Sequence, residues 1–176
     1  SPAFSMVVFG IDPGSTVTGY GVIAIDRGRM RLVAAGAIRT SSDDPMEQRL
    51  LRIHRGLLEA LDAQAVDAVA IEAIFRHKSS ESALRLGQAR GVALLAAAER
   101  GHAPFEYNTM TVKRTVGAHG GADKAALGRV VRMLLGGDVP QGPADVTDAL
   151  AIAITHCSHA RNGLHAAAAA ARRSIQ

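Results

Sequence analysis

Four carboxylates carry the chemistry this sequence could perform. Asp12 and Glu72 each close an apolar run, Val7-Val8-Phe9-Gly10-Ile11-Asp12 and Val69-Ala70-Ile71-Glu72, while Asp145 and Asp148 open the run Ala144–Ile154. A carboxylate at the edge of an apolar element is costly unless its charge is compensated. Four of them in such places predict a shared cation, and hard oxygen donors select Mg²⁺. Two such ions about 3.5–4 Å apart activate a water and stabilise a leaving oxygen, the arrangement that cleaves phosphodiesters. Local structure offers a plainer account of three of the four. Asp145 and Asp148 also describe an acidic first helical turn with one member as cap, and Asp12-Pro13-Gly14 also describes a turn. Glu72 has little such local work to do.

The elements that must position these groups follow from the pattern around them. Val7–Ile11 reads as a buried strand, and Tyr20–Ile25 and Met30–Ile38 as two more, joined by a hairpin across Asp26-Arg27-Gly28-Arg29. Pro45–Leu61 has helical spacing. Ala68–Ile71 is the next strand, Ser79–Arg100 a long helix with Leu84, Leu86, Val92, Leu94 and Leu95, and Phe105–Tyr107 a brief strand. Thr109–Val116, Asp123–Leu135 and Ala144–His159 complete the helices. The order β-β-β-α-β-α-β, closed by the last helices, predicts an α/β layer fold, a mixed sheet with helices packed on it and the first strand central. Asp12 and Glu72 would end neighbouring strands. Asp145 and Asp148, three apart and so on one helix face, would meet them if that helix crosses the same edge.

Further candidates are basic or aromatic. Lys113 and Lys124 flank Gly117-Ala118-His119-Gly120-Gly121, a loop that lets backbone and lysines approach phosphates closely; ordinary surface lysines on a solvated loop are the other account. Phe75, one of only four phenylalanines, precedes Arg76-His77-Lys78-Ser79. An aromatic at such a polar edge can stack on an unpaired base, or pack beneath its own helix. Gly87 and Gly91 permit close packing, on the sheet or against a partner.

The 176 residues fit one domain, and the formal charge of +4 suits a nucleic-acid partner without requiring one. No run is apolar and long enough for a membrane span and no signal-peptide pattern opens the chain. Ser1-Pro2-Ala3-Phe4-Ser5 reads as a leader left by cloning. The single cysteine, Cys157, rules out an internal disulfide framework or a zinc cluster and reads as a packed thiol. A reducing, cytoplasmic setting is expected.

At the carboxylates the chain resembles the RuvC family of Holliday junction resolvases, within the ribonuclease H-like superfamily. The stretches are Gly10-Ile11-Asp12-Pro13-Gly14-Ser15 with Gly19-Tyr20-Gly21, then Ile71-Glu72-Ala73-Ile74-Phe75 and Ser82–Val92, then Val112–Gly117 and Asp145–Cys157. The resemblance runs in order from about residue 6 to 158. It implies a ribonuclease H-like mixed five-stranded sheet over residues 6–160, with 161–176 as a tail. It further implies a homodimeric endonuclease that binds a four-way DNA junction and nicks two opposed strands. Two Mg²⁺ per site, or Mn²⁺, would be held by Asp12, Glu72, Asp145 and Asp148; some members carry His where this chain has Asp145. The family's DNA-contacting lysines fall on Lys113 and Lys124 and its aromatic on Phe75, with Arg76 and Lys78 adding charge. A branch-migration motor is the implied partner. Asp12-Pro13-Gly14-Ser15 is also similar to the phosphate-binding turn of actin-like ATPases and sugar kinases, but those need a second such domain and this chain is too short. A non-catalytic junction-binding module is a further alternative, opposed by retention of all four carboxylates, as is a related nuclease of different substrate preference.

Overall fold

The computed structural model describes residues 5–73, 79–117, 124–136, 139–140 and 142–173, with side chains left aside at Lys124 and 164–173. Phe75, Arg76, Lys78 and most of the expected glycine loop lie outside the described residues. Five strands, β1 (Ser5–Asp12), β2 (Val17–Asp26), β3 (Arg29–Arg39), β4 (Ala68–Glu72) and β5 (Phe105–Tyr107), form one sheet of order β3-β2-β1-β4-β5. The first three strands are antiparallel, and β4 and β5 run parallel to β1. The central position expected for the first strand is thus observed. Ser5 belongs to β1, opposite Asp26.

The β2–β3 hairpin closes in two residues. Arg27 and Gly28 both have positive φ, 50° and 80°, the pair that a type I′ turn requires to match strand twist.

Helices cover both faces. One face carries α1 (Met46–Asp62) and α2 (Ser80–Glu99), whose buried side chains pack on Phe9, Ile11, Val22, Val69 and Ile71. In α1 the buried positions Arg49, Ile53, Leu57 and Leu61 recur every fourth residue, one stripe on one side. In α2 the stripe is alanine, with Ala89, Ala93, Ala96 and Ala97 buried. Small side chains let that helix sit close, so Leu84 and Leu95 point outward, 64% and 53% exposed.

The other face carries α3 (Thr109–Thr115), α4 (Lys124–Leu135) and α5 (Ala144–Arg173). Helix α5 lies directly on β1 and β2 and is buried along Ala149–Cys157. A helix buried on all sides is apolar almost all round, which is why Ala149–Ile154 reads as an unbroken apolar run. It continues through the expected tail to Arg173. Among the described residues no helix is long and apolar enough to cross a membrane.

Candidate active site

Strand pleating decides where the carboxylates point. Side chains two apart share a face. On β1, Val8 belongs to the core beneath α5, and a Cβ on Gly10 would strike the backbone of Ala149 and Ala153 in α5. Asp12 continues that series onto the α5 side. On β4, Ala68 and Ala70 face the same core, so Glu72 follows them. The strands pair in parallel with Ile11 opposite Ile71, so Asp12 and Glu72 leave adjacent strands at the same end and on the same face.

Asp145 arrives from above. Gly19 is the antiparallel partner of Asp12, and a Cβ on Gly19 would lie within 3.0 Å of the carbonyl group and the Cβ of Asp145. Asp148 sits on the next turn, one residue before Ala149, which rests on Gly10. Gly10, Gly19 and Gly21 form a shallow trough in which α5 lies, Gly21 accommodating Leu150. Glycine in a strand interior weakens it and marks a close approach of another backbone. Here the approach brings the first two turns of α5 onto the Asp12 end of the sheet, so the backbone gathers all four carboxylates at one edge.

All four are partly exposed, as groups that meet a substrate must be. Thr109 Oγ1 donates to Glu72 Oε1 at 2.6 Å, while Asp12 and Asp148 are each engaged by neighbouring groups. Among the described residues no three His, Cys, Asp or Glu side chains already surround a point that could hold a metal ion. Like charges repel strongly at short range, so carboxylates on a common edge spread unless a cation draws them in. Their chemistry, four hard oxygen donors on fixed backbone, fits a divalent ion.

The loop that follows Asp12 is braced from behind. Thr18 Oγ1 donates to Gly14 O at 2.7 Å and accepts from Gly14 N at 3.2 Å. Arg49, 7% exposed, reaches from α1 to Ser15 O at 2.9 Å and to the hydroxyls of Thr16 and Thr40; Thr40 also donates to Ser15 O. A buried guanidinium is tolerated only when its donors are satisfied, and here they fix the turn beyond Asp12. Neither Arg49 nor Thr109 stands out in the sequence.

Below the edge, Tyr107 hydroxyl pairs with His156 Nδ1 at 2.7 Å, and the Phe105 ring lies tilted against His156 with ring centroids 4.3 Å apart. Burial, then the nearby His159, holds the His156 imidazole below its ordinary pKa. Burial raises the Tyr107 phenol, with Cys157 adding to it, and pushes the Cys157 thiol up to about 12. Cys157 is therefore a packed thiol, as its place in a helix suggests.

Of the basic candidates, Lys113 is half-buried on α3, one turn beyond Thr109. Lys124 is the first residue of α4.

A sheet of three antiparallel strands extended by two parallel ones, with acids at the ends of the central pair and on a helix crossing them, defines a ribonuclease H-like fold. The family model for crossover junction endodeoxyribonuclease RuvC matches residues 8–156. The chain is 45% identical over 159 residues to the crossover junction endodeoxyribonuclease RuvC of Edwardsiella ictaluri, covering 90% of each. It is 47% identical over 157 residues to that of Photorhabdus laumondii, covering 89% of each. A solved structure of T. thermophilus RuvC in complex with a Holliday junction substrate matches with a TM-score of 0.81 at 39% identity, covering 90% of this chain and 96% of that one. The chain belongs to the RuvC family.

Proposed function

We propose that this chain is a divalent-metal-dependent endodeoxyribonuclease that resolves four-way DNA junctions by paired nicks. The observation that carries the reading is the common edge: Asp12 and Glu72 on adjacent parallel strands, with Asp145 and Asp148 on the helix laid across them. Asp12, Glu72, Asp145 and Asp148 would hold two Mg²⁺ or Mn²⁺. Such ions supply an activated water and charge neutralisation at a scissile phosphate.

The protein's own part is placement. Asp12 stands on the central strand, where the sheet is least free to move. Glu72 is held by Thr109, and the trough of glycines sets the height of Asp145 and Asp148. Lys113 and Lys124 would contact phosphates, and Phe75 with Arg76 and Lys78 would meet the junction where its bases are unpaired. Residues 6–160 would form the nuclease domain, with 161–176 as a tail.

Two opposed cuts call for two sites related by a two-fold axis. The outward face of α2 supports a homodimer: Leu84 and Leu95 are exposed there, and Gly87 and Gly91 between them have nothing within 4 Å of a would-be Cβ. A branch-migration motor as partner and a cytoplasmic setting follow from the family reading.

The test is a nicking assay on a synthetic four-way junction, with and without Mg²⁺, beside a linear duplex. Nicking is expected on the junction alone and only with metal. Asp12→Asn is expected to abolish it while junction binding persists in a gel-shift assay. A near wild-type rate for that variant would remove Asp12 from the metal site and with it the reading.

A further inference from the structure

We propose that Thr109 is a positioning residue for Glu72, and that it ties the metal-holding edge to the helix that carries Lys113. The inference rests on the nuclease reading above and adds a residue to it.

Glu72 is the last residue of β4, where the strand no longer confines it on both sides. Its cross-strand partner is Tyr107 on β5, and the chain just beyond it is held by Ala73 N donating to Tyr107 O at 2.8 Å. Two residues past Tyr107, Thr109 begins α3. Asn108 caps that helix by accepting from Thr111 N at 2.8 Å, so the start of α3 is fixed independently of Glu72. From that fixed point Thr109 Oγ1 donates to Glu72 Oε1 at 2.6 Å, a short bond of the charge-assisted kind.

The bond has a directional consequence. A carboxylate has two oxygens. The hydroxyl occupies one lone pair of Oε1 and restricts rotation of the group, so the direction of the second oxygen is set as well. Groups that orient metal-binding carboxylates in this way contribute to affinity without touching the ion. Lys113 lies four residues on from Thr109, on the same side of α3. The segment that would meet a phosphate and the group that aims Glu72 are therefore parts of one short helix. That helix is anchored below, because Tyr107, which leads into it, is bonded to His156 on α5.

The experiment compares Thr109→Val, which keeps the branched shape and removes the donor, with Thr109→Ser, which restores a hydroxyl. Mn²⁺ binding to the full chain is followed by electron paramagnetic resonance without DNA, and nicking is measured as a function of Mg²⁺ concentration. Thr109→Val is expected to weaken Mn²⁺ binding about tenfold and to shift the Mg²⁺ activation curve to higher concentration, with much of the rate recovered at saturating metal. Thr109→Ser is expected to stay within about threefold of wild type. Melting temperatures of both variants should match wild type, because the bond is exposed at the surface; a merely structural role would move melting and leave the metal titrations in place. Unchanged or tighter Mn²⁺ binding in Thr109→Val overturns the proposal. So does a serine variant as impaired as the valine one. Failure of the wild-type chain itself to bind Mn²⁺ sinks the nuclease reading together with this proposal, whereas a normal wild-type titration matched by Thr109→Val sinks this proposal alone.

Discussion

Replacing Gly19 by alanine tests how closely the site depends on the seat of α5. An added Cβ would meet three atoms of Asp145, with the Asp145 Cβ at 2.9 Å and the carbonyl atoms closer still. Real Cβ contacts stay beyond 3.0 Å, and the carbonyl oxygen falls short of that by most of an ångström. The obstructing atoms are mainly helix backbone, so no rotamer change relieves them. The start of α5 must lift by about 1 Å, and Asp145 moves with it away from Asp12. Overpacking of this kind costs roughly 1–3 kcal/mol of stability. Misplacing a reacting group by about 1 Å costs around a hundredfold in rate. Gly19→Ala should therefore melt lower than wild type and nick a four-way junction about a hundredfold more slowly at saturating Mg²⁺, at temperatures where it is folded. Gly128→Ala on α4 is the control: its nearest neighbours are the Arg132 guanidinium atoms at 3.7–3.9 Å. Helix propensity predicts a gain of about 0.5–1 kcal/mol there and no change in rate. A Gly19→Ala protein with wild-type melting and wild-type nicking would show that the glycine trough does not set the height of the carboxylates.

Two further outcomes follow from the buried cluster beneath the site. The folded state holds His156 below its ordinary pKa, so below about pH 6.5 the unfolded chain takes up a proton that the folded chain resists. Stability from this group is full above that pH and declines as pH falls toward the folded value; thermal unfolding across pH 7 to 5 should show the loss, and a His156→Gln variant should show a shallower pH dependence. Cys157, buried with its thiol pushed up to about 12, should resist alkylation by iodoacetamide at pH 8 in the native protein and react at once in denaturant; rapid labelling of the folded chain, read by mass spectrometry, would contradict its packed state.

Much of this architecture is legible in the chain because short apolar runs in a small domain have few places to go. Val8–Ile11 and Val69–Ile71 are buried on both faces of the sheet, and the carboxylate that ends each run marks where burial stops. The hairpin at Arg27-Gly28 follows from turn chemistry alone. Helix α2 is less transparent: its leucines suggest an inward face, yet alanines are buried and Leu84 and Leu95 face out, because close packing selects side-chain size rather than hydrophobicity. The extent of α5 past His159 is also hidden, since an alanine run is strongly helical without declaring a partner. At the site, the carboxylates are visible as charges in apolar context. Gly19 and Gly21, alternating in a strand, signal a backbone approaching from outside. Thr109 and Arg49 carry no such mark, since hydrogen bonds between residues 37 and 34 positions apart depend on how the sheet and helices are stacked.

The trough on β1 and β2 also governs when the edge that gathers the four carboxylates comes into being. Asp12 leaves the ribosome more than a hundred residues before Asp145 and Asp148 on α5, and domains of this size fold largely as units. A nascent or truncated chain lacking Ala144 onward would expose Gly10, Gly19 and Gly21 to water with nothing seated on them. Such a fragment should be unable to cut DNA, so incomplete synthesis leaves behind no stray nuclease.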